Sequence, residues 1–159
     1  MSFERNAADE HHADLLILCG TVLTPNGAQR IDIACRDGRI IALGNLAATW
    51  HADTRLSATG LHVLPEVIDS QVHFREPGLT HKEDFDSGTR GAVLGGVTTV
   101  FEMPNTHPLT LLAADLKAKL GAARSRAWCD YAFYIGGSAV NAEQLARLET
   151  LPGCAGVKA

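Results

Sequence analysis

Residues 67–78 read VIDSQVHFREPG and hold the residue types best suited to chemistry in this chain. The β-branched start of the segment predicts a strand, and residues two apart in a strand point to the same side. Asp69, Gln71 and His73 are therefore expected to share one face near the end of that strand. A neutral imidazole is a good zinc ligand, whereas an amide oxygen is a poor one. The pattern predicts either a metal site built on His73 or a histidine that is hydrogen-bonded for structural reasons.

A small all-β module is expected before this strand, over residues 14–64. Two short apolar runs, Leu15–Cys19 and Thr21–Thr24, are typical of strands and lead into a Pro-Asn-Gly turn. Apolar and polar residues then alternate up to Asp37-Gly38, a dipeptide that favours a tight hairpin. The module is expected to be sandwich-like, and the polar residues 1–13 before it are expected to form a flexible arm.

Strands and helices alternate after Pro65, which is typical of βαβ units and a parallel sheet. The helix signals are leucines at helical spacing, glycines at the expected stops and a pattern resembling a capping box. The predicted strands are Val67–Phe74, Val97–Met103, Tyr131–Ile135 and a fourth that begins at Cys154. The predicted helices are Lys82–Gly95, the stripe Leu109, Leu112, Leu116 and Leu120, and a segment capped by Asn141 and Gln144.

The chain resembles the amidohydrolase superfamily, and within it the dihydroorotase, allantoinase and hydantoinase group of cyclic-amide hydrolases. Residues 69–73 resemble the Asp-x-His-x-His end of the group's first barrel strand. Residues 103–106, Met-Pro-Asn-Thr, resemble the loop after the second strand of dihydroorotases, and residues 156–158, Gly-Val-Lys, resemble the fourth strand. The resemblance implies an α/β fold in which residues 65–159 form the first half of a (β/α)8 TIM-type barrel, strands 1–4.

The resemblance also implies a metal centre of one or two zinc ions. His73 would be a ligand, and Lys158 would bridge the metals after its amine has become a carbamate; burial of that lysine would favour the free amine. Gln71, where the group has a histidine, and Asp69 are weaker candidate ligands. A lysine that merely reaches solvent from the strand end is the alternative for Lys158. The general-base aspartate is expected beyond Ala159, so no catalytic residue is expected within this chain.

Arg75 and Asn105 are the substrate-binding residues that the resemblance implies. In dihydroorotase-like sequences the phrase His-Phe-Arg-Glu-Pro-Gly places an arginine on the substrate's carboxylate, which a planar fork of donors suits. The implied reaction is the hydrolysis of dihydroorotate to N-carbamoyl-L-aspartate in pyrimidine biosynthesis, with allantoinase or hydantoinase activity as an alternative. An ion pair between Arg75 and Glu76, and a simple turn role for Asn105, are the structural alternatives.

Two residues depart from the group's pattern. Gln71 replaces a metal-binding histidine, and Glu66 replaces the glycine expected after Pro65. The first departure supports a second hypothesis, a catalytically impaired homologue that scaffolds a partner enzyme of the aspartate transcarbamoylase type. Retention of the candidate substrate-binding and bridging residues favours the enzyme.

The length of the chain bears on its activity. About 95 residues follow Leu64, whereas a complete barrel needs about 250. The chain is therefore expected to be the N-terminal portion of a longer protein and to be inactive by itself. The edge strands of a half barrel would favour completion by another chain or self-association as a homo-oligomer.

Composition argues against several other functions. The net charge is -4 with both signs scattered, so no basic stripe favours nucleic acid. No apolar run approaches the roughly 20 residues of a membrane span. The cysteines lack metal-binding spacing and follow no secretory leader, which predicts small buried core residues in a cytoplasmic protein. These cysteines are Cys19, Cys35, Cys129 and Cys154. The histidines without a motif, expected at the surface or in the core, are His51, His62, His81 and His107.

Overall fold

The computed structural model describes residues 11–159. These residues belong to two compact units that divide between Pro65 and Glu66. The predicted flexible arm falls largely on residues outside the described ones. For its last residues the prediction is wrong, because His12 and Ala13 open the first strand and Ala13 is buried.

The first unit is built on one five-stranded sheet. Its strands are β1 (His12–Thr24), β2 (Gly27–Arg36), β3 (Arg39–Gly44), β4 (His51–Ser57) and β5 (His62–Val63). The order is β3-β2-β1-β4, with β5 also paired to β1. The central strand β1 is antiparallel to β2 and parallel to β4 and β5.

Two irregular points shape the strands of this unit. Asp37 and Gly38 have φ angles of 52° and 69°, the left-handed conformation that a tight hairpin turn requires. The predicted hairpin is thus confirmed. The runs predicted at Leu15–Cys19 and Thr21–Thr24 are one strand instead, because pairing with β2 resumes after a register shift around Cys19.

A buried carboxylate, Asp32, ties the sheet to the segment after β3. It accepts backbone N–H bonds from Cys19 at 2.8 Å, Leu46 at 2.9 Å and Ala47 at 3.2 Å. Burial acts to raise the pKa of Asp32, but these donors, with the Arg55 guanidinium, lower it below its ordinary value. The fold therefore stabilises the ionised carboxylate.

Asp32→Ala is expected to destabilise the first unit by about 2–4 kcal/mol, because buried N–H groups lose a charged acceptor. Asp32→Asn keeps one acceptor oxygen and should cost less. Since the folded-state pKa is depressed, the contribution is present above the ordinary pKa of 3.8 and is lost as the pH falls through the folded value. Urea unfolding at neutral pH and at about pH 3 measures the loss. Equal losses at both pH values would contradict this account.

The second unit is a four-stranded parallel sheet whose strands alternate with helices. Its elements are β6 (Ile68–Val72), α1 (Phe85–Leu94), β7 (Thr99–Glu102), α2 (Ala113–Ala123), β8 (Asp130–Gly136), a 3₁₀ turn (Ala142–Gln144), α3 (Leu145–Leu148) and β9 (Cys154–Lys158). The spatial order β6-β7-β8-β9 follows the chain order. A barrel needs this order, whereas a doubly wound sheet reverses direction. The α/β class is confirmed, and closure into a barrel stays a prediction.

The core of this unit lies between the sheet and its helices. Phe85 packs edge-on between Phe74 and Phe133, with ring centroids 6.1 Å and 5.5 Å apart. Leu116 from α2 and Leu148 from α3 complete the same buried cluster. By alternation along β7 and β8, the opposite face of the sheet carries other side chains and is not part of this core.

The entry to β6 is held by its neighbour β7. The Glu66 carboxylate accepts a hydrogen bond from the Thr99 hydroxyl, and the Val67 carbonyl accepts the Thr98 N–H at 2.9 Å. The substitution of the expected glycine by Glu66 therefore leaves the strand paired. Its side chain adds a contact that glycine could not make.

The helix boundaries partly match the predictions. Residue Gly95 ends α1 as expected. The leucine stripe is wrong at its first two positions, because Leu109 and Leu112 lie before α2 and are exposed. The predicted capping box at Asn141 is not formed; its buried side-chain amide donates instead to the carbonyls of Leu111 and of Gly136, the last residue of β8. No helix among residues 11–159 is long and apolar enough to cross a membrane.

The cysteines are free thiols in the structure. Cys129 and Cys154 pack against the core of the second unit, as partly buried residues. The prediction of buried core residues is wrong for Cys19, which is exposed. Exposure there follows from the register shift in β1, which turns this residue out of the regular strand.

Candidate functional site

The candidate residues lie where neighbouring parallel strands end. Strand β6 ends at Val72, β7 ends at Glu102, and the two pair directly. His73 follows the first strand and Asn105 follows the second, so both lie at the carboxyl-terminal end of the sheet. The carboxyl ends of parallel strands are where α/β proteins hold their active sites.

His73 and Asn105 contact each other through their side chains. Nδ1 of His73 donates a hydrogen bond to Oδ1 of Asn105 over 2.9 Å. A neutral ring that donates from Nδ1 keeps its lone pair on Nε2, so the contact selects one tautomer. The resemblance to cyclic-amide hydrolases implies only a substrate-binding role for Asn105. The structure adds contact with the candidate metal ligand.

Asn105→Ala is expected to weaken the tautomer preference of His73 about two- to tenfold, the worth of one exposed hydrogen bond. Long-range proton–nitrogen NMR of the His73 ring measures the shift in population. Asn26→Ala, in a turn of the first unit, is the control. A ring spectrum that is the same in Asn105→Ala and in the natural protein would show that the contact does not hold the ring.

Gln71 and Asp69 do not lie on a regular strand with His73. Between Asp69 and Val72, β6 has one residue more than the facing part of β7, which is a β-bulge. The Asp69 carboxylate accepts the Gln71 N–H at 3.0 Å within this bulge. The predicted two-residue alternation is therefore broken here. It cannot by itself place all three side chains on one face.

The loops after β6 and β7 are held against each other. The His107 N–H donates to the Pro77 carbonyl at 3.2 Å. Gly78 has a φ of 112°, and a Cβ added there would lie 2.7 Å from the Cβ of His107. Only glycine fits this approach. His107, which had no motif to mark it, thus helps to line a small cavity together with Arg75 and Asn105.

Arg75 is exposed at this cavity and does not pair with Glu76. The Glu76 carboxylate is held instead by the Arg126 guanidinium at 2.6 Å and by the Phe85 N–H at 3.0 Å. The structural alternative for Arg75 is therefore wrong in this structure. Within residues 11–159 the Arg75 side chain forms no ion pair, so its guanidinium is available to an anionic group.

Lys158 is the last residue of β9, and β9 and β6 are the two outermost strands of this sheet. Strands about 4.8 Å apart put roughly 14 Å along the sheet between it and His73. The Lys158 side chain is also exposed, so the burial expected to favour its free amine is not present in this structure.

The described residues supply only part of a metal centre. Within residues 11–159 no three His, Cys, Asp or Glu side chains come together as a possible metal site. At this end of the sheet His73 supplies one good zinc donor, whereas a structural or catalytic zinc needs at least three protein ligands. The residues present do not fit a complete zinc site.

A buried ion pair joins α2 to β7, and no motif in the sequence predicts it. Nζ of Lys119 lies 2.6 Å from Oε2 of Glu102, and both side chains are at most 3% exposed. Burial raises the pKa of Glu102 to about 7, although Lys119 acts to lower it. Burial likewise lowers the pKa of Lys119. The sequence signal for this pair was that Lys119 lies one helical turn after Leu116, a buried position of α2.

The chain is similar to curated allantoinases. It is 41% identical over 147 residues to an allantoinase of Salmonella gallinarum, and 38% identical over 146 residues to an allantoinase of Escherichia coli O1:K1. Each match covers 91% of this chain and 32% of the relative. The chain therefore spans about a third of the length of these relatives.

The fold of the chain is similar to solved structures of hydantoinases. L-hydantoinase (dihydropyrimidinase) from Arthrobacter aurescens matches with a TM-score of 0.86 and 28% identity, over 92% of this chain and 33% of that one. D-hydantoinase from Bacillus sp. AR9 matches with a TM-score of 0.71 and 30% identity, over 86% of this chain and 30% of that one. The similarity to cyclic-amide hydrolases is confirmed for the group as a whole.

A family model also matches the chain. The dihydro-orotase-like model matches residues 60–148, which is more than half of the chain. The matched stretch includes His73, Arg75 and Asn105, the residues that meet at the strand ends. The names of the relatives do not single out dihydroorotase activity within the group. The chain belongs to the dihydro-orotase-like family.

Proposed function

We propose that the protein carrying this segment hydrolyses a small cyclic amide that bears a carboxylate, with dihydroorotate as the leading substrate and N-carbamoyl-L-aspartate as product. One observation carries the proposal: Arg75 and Asn105 line the same small cavity, beside His73. An exposed guanidinium without an ion pair offers two parallel donors to a carboxylate. The Asn105 amide nitrogen can add a third, because its oxygen already accepts from His73.

The comparisons favour a second candidate within the same group, an allantoinase or hydantoinase. The curated relatives are named allantoinases and the solved structures are named hydantoinases. Allantoin and hydantoin carry no carboxylate, so an arginine has no anionic partner on either substrate. The role of Arg75 therefore distinguishes the two candidates.

Several parts of the proposal depend on the rest of the protein. Zinc and a carbamylated Lys158 stay in it as candidates, with His73 as a ligand and with further ligands from outside residues 11–159. The segment alone is expected to be inactive, because catalysis needs the whole constellation held in place. A cytoplasmic setting, a homo-oligomer or an aspartate transcarbamoylase-type partner likewise remain proposals.

Arg75→Lys in the intact protein tests the substrate assignment. It is expected to lower kcat/KM for dihydroorotate about ten- to a hundredfold, chiefly through KM, because a forked pair of charged hydrogen bonds becomes a single point charge. Activity toward allantoin and hydantoin should not change. Arg124→Lys, an exposed arginine at the end of α2, is the matched control.

Two results would overturn this assignment. Hydrolysis of allantoin that exceeds that of dihydroorotate, and is unaffected by Arg75→Lys, would establish the allantoinase alternative. Absence of bound metal and of hydrolysis of all three substrates would instead support a scaffold role, to which Gln71 already points.

A further inference from the structure

The turn that carries Arg75 is closed by its own backbone. The Leu79 N–H donates to the Arg75 carbonyl over 2.7 Å, which makes residues 75–79 a single α-turn. The rotamers open to a side chain depend on the backbone angles of its residue. The conformation of this turn therefore decides the directions in which the Arg75 guanidinium can point.

The Glu76 side chain joins this turn to two other elements. Its Oε2 accepts the N–H of Phe85, the first residue of α1, over 3.0 Å. Its Oε1 accepts a hydrogen bond from Nη1 of Arg126, in the segment after α2, over 2.6 Å. The Glu76 side chain is 14% exposed, so water competes weakly with these charged hydrogen bonds. The turn is thus held at the residue next to Arg75.

Arg126 is itself held in place by three acceptors. Besides Glu76, its guanidinium donates to the Ala122 carbonyl over 3.2 Å and to the Asp84 carboxylate over 3.3 Å. Asp84 is the N-cap of α1. A single exposed ion pair would fix little, but a planar fork of donors can bind two carboxylates at once and keep one geometry. Arg126 therefore links α2, the start of α1 and the Arg75 turn.

We propose that Arg126 is a positioning residue for substrate binding: it holds Glu76, and thereby fixes the turn from which Arg75 reaches a carboxylate on the substrate. This inference rests on the proposed function, in which Arg75 binds that carboxylate. In the part of the chain that the structure describes, Arg126 does not line the cavity beside Arg75. It therefore acts through the turn, and its loss is expected to weaken substrate binding and to leave the chemical step unchanged.

Arg126→Met in the intact protein is the first test. The KM for dihydroorotate is expected to rise about three- to thirtyfold while kcat stays within about twofold, because part of the binding energy must then order Arg75. Arg126→Lys keeps a charge for Glu76 without the planar fork, and should recover part of the loss. Arg90→Met is the matched control and should leave KM unchanged, since Arg90 forms an exposed ion pair with Asp86 within α1.

Hydrogen exchange of two amides measures the order of the turn without any substrate. The Leu79 N–H closes the turn, whereas the Phe133 N–H lies in the core strand β8 and donates to the Gly153 carbonyl. In Arg126→Met the Leu79 amide is expected to exchange about three- to thirtyfold faster, the worth of a partly exposed charged hydrogen bond. The Phe133 amide should not change. This comparison separates local loosening of the turn from a general loss of stability.

The outcomes separate a failure of this inference from a failure of the proposed function. If the natural protein hydrolyses dihydroorotate and Arg75→Lys raises its KM, an unchanged KM in Arg126→Met would overturn the role of Arg126. An unchanged Leu79 amide, or equal acceleration of both amides, would also overturn it. If the natural protein does not hydrolyse dihydroorotate, the proposed function fails, and the Leu79 amide then decides by itself whether Arg126 fixes the turn.

Discussion

Lys119→Met is expected to destabilise the second unit by about 3–5 kcal/mol at neutral pH, since it leaves the Glu102 carboxylate buried without its partner. The side chain of Glu102 is 1% exposed, so solvent cannot replace the lysine. In the variant, protonating Glu102 then costs less free energy than burying its charge without a partner. For a carboxyl with an ordinary pKa of 4.5, protonation costs about 1.4 kcal/mol for each pH unit above that value.

Because this loss of stability comes from an unpaired buried carboxylate, it is expected to become smaller as the pH falls. Burial raises the pKa of Glu102 to about 7 in the natural protein. For a group with a raised pKa, stability is fully present below the ordinary value and is lost as the pH rises through the folded value. In Lys119→Met the folded pKa rises further, so the loss is expected to shrink to about 1 kcal/mol near pH 5.

Urea unfolding of the intact protein at neutral pH and near pH 5 measures both numbers. Lys117→Met, an exposed lysine on the same helix, is the control and should stay within about 0.5 kcal/mol of the natural protein. The double variant Glu102→Leu with Lys119→Met should recover most of the loss, because an apolar pair removes both buried charges. An equal loss at the two pH values would show that an unpaired carboxylate is not its cause.

Gln71→His is expected to raise the zinc affinity of the intact protein by more than about 100-fold, since replacing a ligand should exceed the 10- to 100-fold effects of groups that only support ligands. An imidazole is the better zinc ligand, and His73 supplies a second one close by in the chain. Chelator competition measures the affinity without any assay of activity. Gln29→His, an exposed strand residue of the first unit, is the control.

The result for Gln71→His also separates the two functional hypotheses. A large gain in zinc affinity with a gain in hydrolysis would mean that the natural site is a weakened form of an enzyme site. A gain in zinc affinity without hydrolysis would favour the scaffold. No change in affinity would mean that the bulge at this residue keeps its side chain away from the metal.

Local patterns account for the features that sequence reasoning predicted well. The Asp37-Gly38 hairpin depends on two residues that adopt positive φ angles. The alternation of strands and helices after Pro65 depends on apolar periodicities within each element. Both are properties of neighbouring residues, so the sequence contains them directly.

Two of the wrong predictions, the leucine stripe and the capping box at Asn141, share a different cause. The apolar spacing that starts at Leu109 continues a helical pattern, but Asp115 accepts the N–H groups of Leu111 and Leu112 and starts α2 later. Asn141 has a capping pattern, but its buried side chain donates to the carbonyls of Leu111 and Gly136 instead. In each case a competing hydrogen bond, formed in the folded chain, overrides the local pattern.

The α/β class, the landmarks at His73, Arg75 and Asn105, and the departure at Gln71 can all be recognised in the order and types of the amino acids. Which side chains contact each other depends on the folded structure. In the fold, His73 forms a hydrogen bond with Asn105, 32 residues away. Glu76 forms an ion pair with Arg126 rather than with Arg75, and Lys119 forms a buried ion pair with Glu102. Hydrogen bonds and ion pairs between distant residues depend on how strands and helices pack, and no local pattern encodes those distances.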